Sequence, residues 1–293
     1  MVHIMKYGIY YAYWEREWNS NFFPYIEKCG QLGFDVLEIG CGVFEKLDED
    51  FFHKMKELSE NNNIVLTGGY GPGIEYNMAS IEPEKLKKTF AFYEDMFRKM
   101  RIAGMDRLGG GLYSYWPVDY KITPEKEKDL QNSIRNMREL ADIADGYGIT
   151  LNMEVLNRFE GYLLNTANEA VDYVRRVDRP NVKVMLDTFH MNIEEDSMTD
   201  AVRAAGDLLG HVHIGEANRK TPGPNGRIDW KALGTALKDI GYKGYIVMEP
   251  FVRMGGQVGK DVRLWRELSR TGDGKEMDQA AADSVAYIRK VMD

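Results

Sequence analysis

An alternation repeated eight times constrains the fold of this chain more than any other feature of its sequence. Short runs rich in β-branched and aromatic residues alternate with longer amphipathic stretches. The runs are nearly continuous in apolar residues, as expected for parallel strands that are buried on both faces. Parallel strands need crossover connections, which the helices between them supply. Because no low-complexity segment or linker rich in Pro, Gly and Ser interrupts the repeat, the sequence predicts a single domain over residues 1–293.

Eight strand–helix units of this kind are typical of a single closed (β/α)8 TIM barrel of the α/β class. An open doubly wound sheet would carry a glycine-rich dinucleotide loop after its first strand, and GIYYAYWERE contains no such motif. The predicted strands are 7–13, 36–40, 64–70, 107–112, 150–156, 182–188, 211–215 and 245–249. The predicted helices include 22–32, 48–61, 82–103, 124–147, 167–177, 198–205, 230–240 and 278–292. Left-handed C-cap glycines are expected at Gly33, Gly104, Gly148 and Gly241.

Charge and composition narrow the classes of function. The net charge is −8, so the average surface repels phosphate polyanions and anionic lipids, and we expect no nucleic acid and no membrane as a partner. No tract approaches the roughly 18 uninterrupted apolar residues of a membrane helix. The first residues show no signal-peptide pattern, and Cys29 and Cys41 form no CxxC or zinc spacing. These features indicate a cytoplasmic protein without a disulfide framework or a structural zinc site.

Polar residues end four consecutive predicted strands, where barrel enzymes carry their catalytic groups. They are Glu154 in LNMEVLNRFE, Asp187 in VKVMLDTFH, His213 in GHVHIGE and Glu249 in YIVMEPF. Since side chains alternate across a strand, all four are expected to face the barrel interior. Three carboxylates that close would repel one another, and a divalent cation relieves the repulsion. Oxygen-rich ligation with one nitrogen and no thiolate favours Mn²⁺, Mg²⁺ or Co²⁺.

The alternative for the carboxylates is a set of separate ion pairs with arginines such as Arg158 and Arg253. Several loop residues are weaker candidates. His190 and Glu160 lie on loops that overhang the same mouth and could bind substrate hydroxyls, and Arg219 offers five donors to oxygen atoms. Aromatic residues that could form the wall of a sugar pocket, or equally a packed rim, are Tyr10, Trp14, Tyr113 and Trp116.

Taken together, the ligand segments resemble the ketose 3-epimerases, specifically the D-psicose (D-allulose) and D-tagatose 3-epimerases. The resemblance covers nearly the whole chain and rests on GIYYAYWE, LEIG, GGGLYSYWP, EVLNRFE, VMLDTFHMNIEED, GHVHIGEANR and MEPFVRMGG. It implies a ketose substrate, Mn²⁺ or Co²⁺ as the cofactor, and a homodimer or homotetramer. It further implies metal ligands at Glu154, Asp187, His213 and Glu249, and substrate contacts at Glu160, His190, Arg219, Tyr10 and Trp116.

Two positions depart from the pattern of that family. Tyr70 in GYGPG stands where relatives carry histidine, and Gly111 in GGGLY stands where some relatives carry alanine. Both departures bear on the size of the pocket and therefore on which ketose is preferred.

The reaction that the resemblance implies is inversion at C3 through a cis-enediolate. Inversion needs one acid/base group on each side of the sugar, and Glu154 and Glu249 satisfy that count. The leading alternative is an aldose–ketose isomerase of the xylose or hydroxypyruvate isomerase type, which uses similar barrels and metals. A metal-dependent phosphodiesterase would need a histidine-rich metal cluster and a basic groove. The chain has only five histidines and a negative net charge, which argues against that function. A non-catalytic sugar-binding module would not need paired glutamates on a metal.

Overall fold

The computed structural model describes residues 5–18, 21–119, 121–270 and 272–293. Eight parallel strands, β1 to β8, pair in chain order, and β8 closes on β1, which confirms the predicted (β/α)8 barrel. The strands are β1 Lys6–Tyr10, β2 Val36–Gly40, β3 Val65–Gly69, β4 Arg107–Gly110, β5 Thr150–Glu154, β6 Val182–Asp187, β7 Leu209–Ile214 and β8 Tyr245–Met248.

Helices cover the outside of the barrel, as the amphipathic stretches predict. They are α1 Phe23–Leu32, α2 Glu49–Asn61, α3 Pro83–Ile102, α4 Lys126–Gly146, α5 Ala167–Val177, α6 Thr188–Glu194, α7 Met198–Ala205, α8 Trp230–Asp239, α9 Gly256–Asp261 and α10 Gly274–Met292. All four predicted cap glycines have positive φ, from +65° at Gly148 and Gly241 to +88° at Gly33. Among the described residues, no helix is long and apolar enough to cross a bilayer.

The prediction for the first strand was wrong at its carboxyl end. β1 stops at Tyr10, and Tyr11–Trp14 form a 3₁₀ helix instead of continuing the strand. Tertiary contacts with α10 account for the difference, since the Tyr13 hydroxyl donates to the Met277 carbonyl at 3.0 Å and Trp14 Nε1 donates to Asp278 Oδ1 at 2.7 Å. The local preference of aromatic residues for strands is overridden by these contacts.

Helix α6 was also missed, and it matters for the mouth of the barrel. Asp187 ends β6 and at the same time caps α6, because its Oδ1 accepts from the Phe189 backbone N–H at 2.7 Å. The strand therefore passes into the helix without a loop. This junction places His190 in the first turn of α6, one turn beyond Asp187.

The register of the strands sets the height of each polar residue. Asp187 on β6 lies beside His213 on β7, and Glu154 on β5 lies beside Met185, two residues below Asp187. Glu249 directly follows β8, where its backbone N–H donates to the Ile214 carbonyl at 3.0 Å. The carboxyl ends of β5 to β8 therefore deliver their side chains to one mouth.

Replacing the N-cap residue of α5 tests how this helix is anchored. Thr166 forms a capping box, in which its hydroxyl accepts from the Glu169 N–H and the Glu169 carboxylate accepts from the Thr166 N–H. We expect Thr166→Ala to lower the free energy of unfolding by about 1 kcal/mol in a urea titration, because the Glu169 backbone N–H loses its side-chain acceptor. Thr166→Ser keeps the hydroxyl and should retain most of the stability; equal loss in both variants would contradict this account.

Candidate metal centre

Four side chains from consecutive strands converge at the carboxyl end of the barrel. Glu154 ends β5, Asp187 ends β6, His213 lies next to last in β7 and Glu249 follows β8. Each offers one ligand atom, and these four atoms all lie within 4.8 Å of one another. The four side chains therefore meet at one mouth of the barrel, as the alternation of side chains along each strand predicts.

The donor set fits a divalent cation. Asp187 and His213 are buried, with 1% and 2% of their surfaces exposed, and Glu154 is nearly as deep. His213 Nδ1 lies 3.8 Å from Glu154 Oε1 and 3.5 Å from Glu249 Oε1, and it makes no hydrogen bond within the described parts of the chain. A buried imidazole lone pair facing carboxylate oxygens matches the mixed nitrogen and oxygen ligation of a divalent ion. The cluster could therefore hold a metal.

The two outer glutamates are in different electrostatic surroundings. Burial, together with the charges of Glu249 and Asp187, raises the pKa of Glu154 well above its usual range. Burial would also raise the pKa of Glu249, but in the ion-free cluster the neighbouring His213 and Arg219 outweigh it and lower that pKa. One carboxyl therefore favours the protonated form and the other favours the ionised form.

Separate ion pairs with Arg158 and Arg253, the alternative to a metal site, do not form with these carboxylates. Arg158 Nη2 pairs with Glu194 at 2.8 Å, and Arg253 Nη1 donates to the Trp14 carbonyl at 2.5 Å. Both arginines are engaged away from the cluster. That alternative interpretation of the carboxylates was wrong.

Arg219 instead supplies the positive charge next to the cluster. Its Nη1 lies 2.7 Å from Glu249 Oε2 and 3.2 Å from Asp187 Oδ2. The guanidinium stacks on Phe189, with its carbon 3.8 Å from the ring centroid, and is 7% exposed. Arg219 adopts φ +65°, and its carbonyl accepts from the Phe251 N–H at 2.9 Å, so a tight turn after β7 aims it inward.

Glu160, on the loop after β5, and His190, in α6 rather than on a loop as predicted, both lie beside the cluster. Glu160 accepts from Trp116 Nε1 at 3.1 Å and from Asn157 Nδ2 at 3.2 Å, and it lies 3.5 Å from Arg219 Nη2. His190 Nδ1 accepts from the Asn157 backbone N–H at 3.1 Å, which leaves Nε2 facing Glu154 and Asp187 at 3.7 and 3.9 Å.

The surroundings of Glu160 and His190 set the protonation state of each side chain through its pKa. Burial opposes ionisation of Glu160, but its surroundings, His190, Arg219 and the hydrogen bonds from Trp116 and Asn157, together lower its pKa. Burial lowers the pKa of His190 and thus favours a neutral imidazole. A neutral His190 with its proton on Nε2 and an ionised Glu160 give one donor and one acceptor on the same side of the pocket.

The aromatic candidates divide into two groups. Tyr10 and Trp116 line the pocket above the cluster, together with Tyr70 and Gly111. Trp14 lies outside it and stacks on Tyr25 at a centroid distance of 5.5 Å. Tyr113 is also outside the lining, where its hydroxyl donates to the Glu154 carbonyl at 2.8 Å and supports the end of β5.

Glycines at the carboxyl ends of β3 and β4 leave room for the pocket on that side of the barrel. Gly69, Gly71, Gly109, Gly110 and Gly111 all lie in its wall. A Cβ at Gly109 would come within 2.6 Å of Met185 Sδ, and one at Gly111 would lie 3.3 Å from Leu156 Cδ1. An alanine at position 111 therefore needs only a slight shift of Leu156, whereas one at position 109 would press on the barrel interior.

Glu38 on β2 is the site residue that the sequence analysis did not single out. Its carboxylate lies beneath the cluster, with Oε1 at 2.5 Å from His213 Nε2. The available signal was an acidic residue inside the apolar run VLEIG, because a carboxylate buried within a parallel strand needs partners. Phe251, Trp18 and Val262 also line the pocket and lie in segments that show no strand or helix periodicity.

Comparisons of the sequence and of the structure with known proteins point to the same family of sugar epimerases. Residues 26–286 match the family model of the xylose isomerase-like TIM barrel. A D-psicose 3-epimerase of Ruminiclostridium cellulolyticum is 49% identical over 99% of this chain and 98% of its own length. Among solved structures, D-psicose 3-epimerase with D-tagatose from Clostridium cellulolyticum H10 superposes with a TM-score of 0.97 at 49% identity, covering 99% and 100% of the two chains. A D-psicose 3-epimerase in the presence of D-fructose gives 0.96 at 45% identity, covering 98% and 99%.

Glu154→Gln tests the raised pKa of this carboxyl in protein stripped of divalent ions. Folded protein keeps a proton on Glu154 that the unfolded chain releases above about pH 4.3, so this group makes stability fall as pH rises. The variant lacks that dependence. Between pH 5 and 8 its unfolding free energy should rise relative to the unsubstituted protein by up to about 1.4 kcal/mol per pH unit, measured in urea titrations.

The control is the same substitution at the exposed Glu139, which should leave the difference flat across pH. Saturating Mn²⁺ should reverse the ranking, because the ion replaces the proton on Glu154 in the unsubstituted protein. A difference between the Glu154→Gln and unsubstituted proteins that does not change with pH would contradict the raised pKa.

Proposed function

This chain belongs to the D-psicose 3-epimerases of the xylose isomerase-like TIM barrel family and is a carbohydrate epimerase, and we propose that it inverts C3 of free ketohexoses such as D-fructose and D-psicose. D-Tagatose and D-sorbose form a second candidate pair of substrates. The proposed metal ligands are Glu154, Asp187, His213 and Glu249, and the proposed acid/base pair is Glu154 and Glu249.

The observation that carries the proposal is the placement of the two glutamates. Glu154 on β5 and Glu249 after β8 flank the ligands from β6 and β7. Inversion requires that a proton leave one face of C3 while another arrives on the opposite face. One glutamate accepts the proton that leaves and the other supplies the proton that arrives, so the roles exchange when the reaction runs in reverse.

A ketose presents a carbonyl at C2, and its C3 hydrogen becomes acidic only as charge moves onto that oxygen. A bound divalent cation would polarise the carbonyl and stabilise the negative charge that develops there. Mn²⁺ or Co²⁺ is the proposed ion, and Mg²⁺ also suits the three carboxylates and single imidazole. The cis-enediolate that forms when the C3 proton leaves is planar, and this planarity allows reprotonation on either face.

The remaining polar residues are proposed to orient the sugar. Arg219 and the Nε2–H of His190 offer donors to substrate oxygens, and the ionised Glu160 accepts from a hydroxyl. Tyr10 and Trp116 present aromatic faces to the carbon chain. Holding the substrate from both ends fixes C3 between the two glutamates, which lowers the entropic cost of proton transfer.

Burial strengthens each of these contacts. Glu154, His190 and Arg219 are each at most 8% exposed, so little water competes for their hydrogen bonds.

A homodimer or homotetramer and a cytoplasmic location remain predictions of the sequence analysis.

Removal of the metal tests the reaction class. Protein treated with a chelator should not convert D-fructose, D-psicose, D-tagatose or D-sorbose, and Mn²⁺ or Co²⁺ should restore the conversion of at least one pair. In D₂O the product ketose should carry deuterium at C3, which NMR detects. An aldose product with an unlabelled C3 would instead identify aldose–ketose isomerisation, and full activity in the chelated protein would contradict the metal site.

Glu154→Gln and Glu249→Gln test the acid/base assignment. Each variant should lose about 10²–10⁴-fold in kcat at matched Mn²⁺ occupancy, because one of the two proton transfers is removed. Since the other glutamate remains, each variant should still exchange the C3 hydrogen of one epimer with D₂O without releasing the other epimer. The exposed Glu139→Gln serves as the control and should keep the original kcat. A variant that retains most of its kcat removes that residue from the acid/base role.

A further inference from the structure

A buried carboxylate, that of Glu38, lies under the candidate metal centre. Glu38 on β2 is 0% exposed. Its Oε1 lies 2.5 Å from His213 Nε2, and its Oε2 lies 2.9 Å from His211 Nε2. Thr67 on β3 donates its hydroxyl to Oε2 at 2.9 Å. The carboxylate thus joins two histidines of β7 from across the barrel.

These distances identify the group as a hydrogen-bonded network. A cation between a carboxylate oxygen and an imidazole nitrogen at about 2.1 Å from each would hold the two atoms at up to about 4 Å. The 2.5 Å separation of Glu38 Oε1 and His213 Nε2 is that of a direct hydrogen bond, and the 2.9 Å between Oε2 and His211 Nε2 is likewise too short for an ion between the two atoms. Glu38, His211 and His213 therefore do not form a second metal site in this arrangement.

The network has one consequence for the ring of His213. An ionised carboxylate only accepts hydrogen bonds, so the proton between Glu38 and His213 lies on Nε2 of the imidazole. A neutral His213 then carries its lone pair on Nδ1. That atom faces Glu154 and Glu249 at 3.8 and 3.5 Å and makes no hydrogen bond to a described residue.

We propose that Glu38 is a positioning residue of the metal centre, which fixes the ring orientation and tautomer of His213 so that Nδ1 is presented to a divalent ion. A carboxylate that accepts from the far nitrogen of a ligating histidine also raises the basicity of the near nitrogen. The second oxygen of Glu38 accepts from the Thr67 hydroxyl, which lies away from His213. This inference rests on the proposed ligand set and is independent of which ketose is the substrate.

Metal affinity is the first measurement, because it does not require turnover. Mn²⁺ is titrated into chelator-stripped protein and the free ion is counted by its electron paramagnetic resonance signal. Glu38→Gln keeps the shape of the side chain and removes the charge, and it should weaken Mn²⁺ binding about 10-fold to 100-fold. Thr67→Val is the matched control. It removes a hydrogen bond to the same carboxylate without touching His213, and it should change the Mn²⁺ dissociation constant less than about threefold.

A double-mutant cycle shows whether Glu38 acts through His213. In a His213→Ala background the imidazole is gone, so Glu38→Gln should now change Mn²⁺ affinity less than about twofold. A loss in that background as large as in the unsubstituted protein would mean that Glu38 acts on the fold in general, and it would overturn the proposal. The thermal midpoint of each ion-free variant is measured alongside, so that unfolding is recognised as such.

A measurement on the unsubstituted protein keeps the proposal testable if Glu38→Gln does not fold. Protein labelled with ¹⁵N-histidine and saturated with the diamagnetic Mg²⁺ should show His213 with its proton on Nε2 and none on Nδ1. A proton on Nδ1 would overturn the proposal. The His213→Ala spectrum assigns the resonance among the five histidines of the chain.

The two hypotheses fail in different ways. If the unsubstituted protein binds no Mn²⁺, or binds it equally well after His213→Ala, the proposed ligand set is wrong and the role of Glu38 falls with it. If Mn²⁺ binding depends on His213 but Glu38→Gln binds within about threefold of the unsubstituted protein, only the role of Glu38 is overturned.

Discussion

The mutual repulsion of three carboxylates at the mouth of a narrow barrel is the constraint on which the rest of the site depends. Glu154, Asp187 and Glu249 are held by β5, β6 and the end of β8, and they cannot separate without breaking the strand register. Water screens them little, because the side chains are mostly buried. The repulsion must therefore be relieved by a cation, by protonation, or by positively charged neighbours, and the structure shows Arg219 in the last of these roles.

The neighbouring charges approach the cluster from two directions. Arg219 comes from the rim, where a turn after β7 and the ring of Phe189 hold its guanidinium against Asp187 and Glu249. His213 lies at the level of the cluster, and Glu38 lies below it as the acceptor for its far nitrogen. Because His213 and Arg219 both lie closer to Glu249 than to Glu154, the two glutamates differ in the direction of their pKa shifts. The electrostatic asymmetry between two like residues thus follows from the placement of one histidine and one arginine.

Much of the fold could be predicted because strand and helix periodicity are local properties of the sequence. The barrel, its eight strands and the glycine caps were predicted correctly, and helices α5 and α7 were predicted to the residue. The end of β1 was wrong because contacts between the Tyr11–Trp14 segment and α10 join residues more than 260 positions apart. Helix α6 was missed because it has seven residues, too few for a clear helical period, and follows β6 without a loop.

For the site, the sequence by itself determined which residues face the barrel, since side chains alternate along a strand by geometry alone. Parity and strand order were enough to place Glu154, Asp187, His213 and Glu249 at one mouth. Only the tertiary structure decided the partners. It paired Arg219 rather than Arg158 or Arg253 with the carboxylates, directed Trp14 and Tyr113 away from the pocket, and brought Glu38 beneath His213. The physical reason is that these contacts cross the barrel or its loops, where separation along the chain carries no information about distance in space.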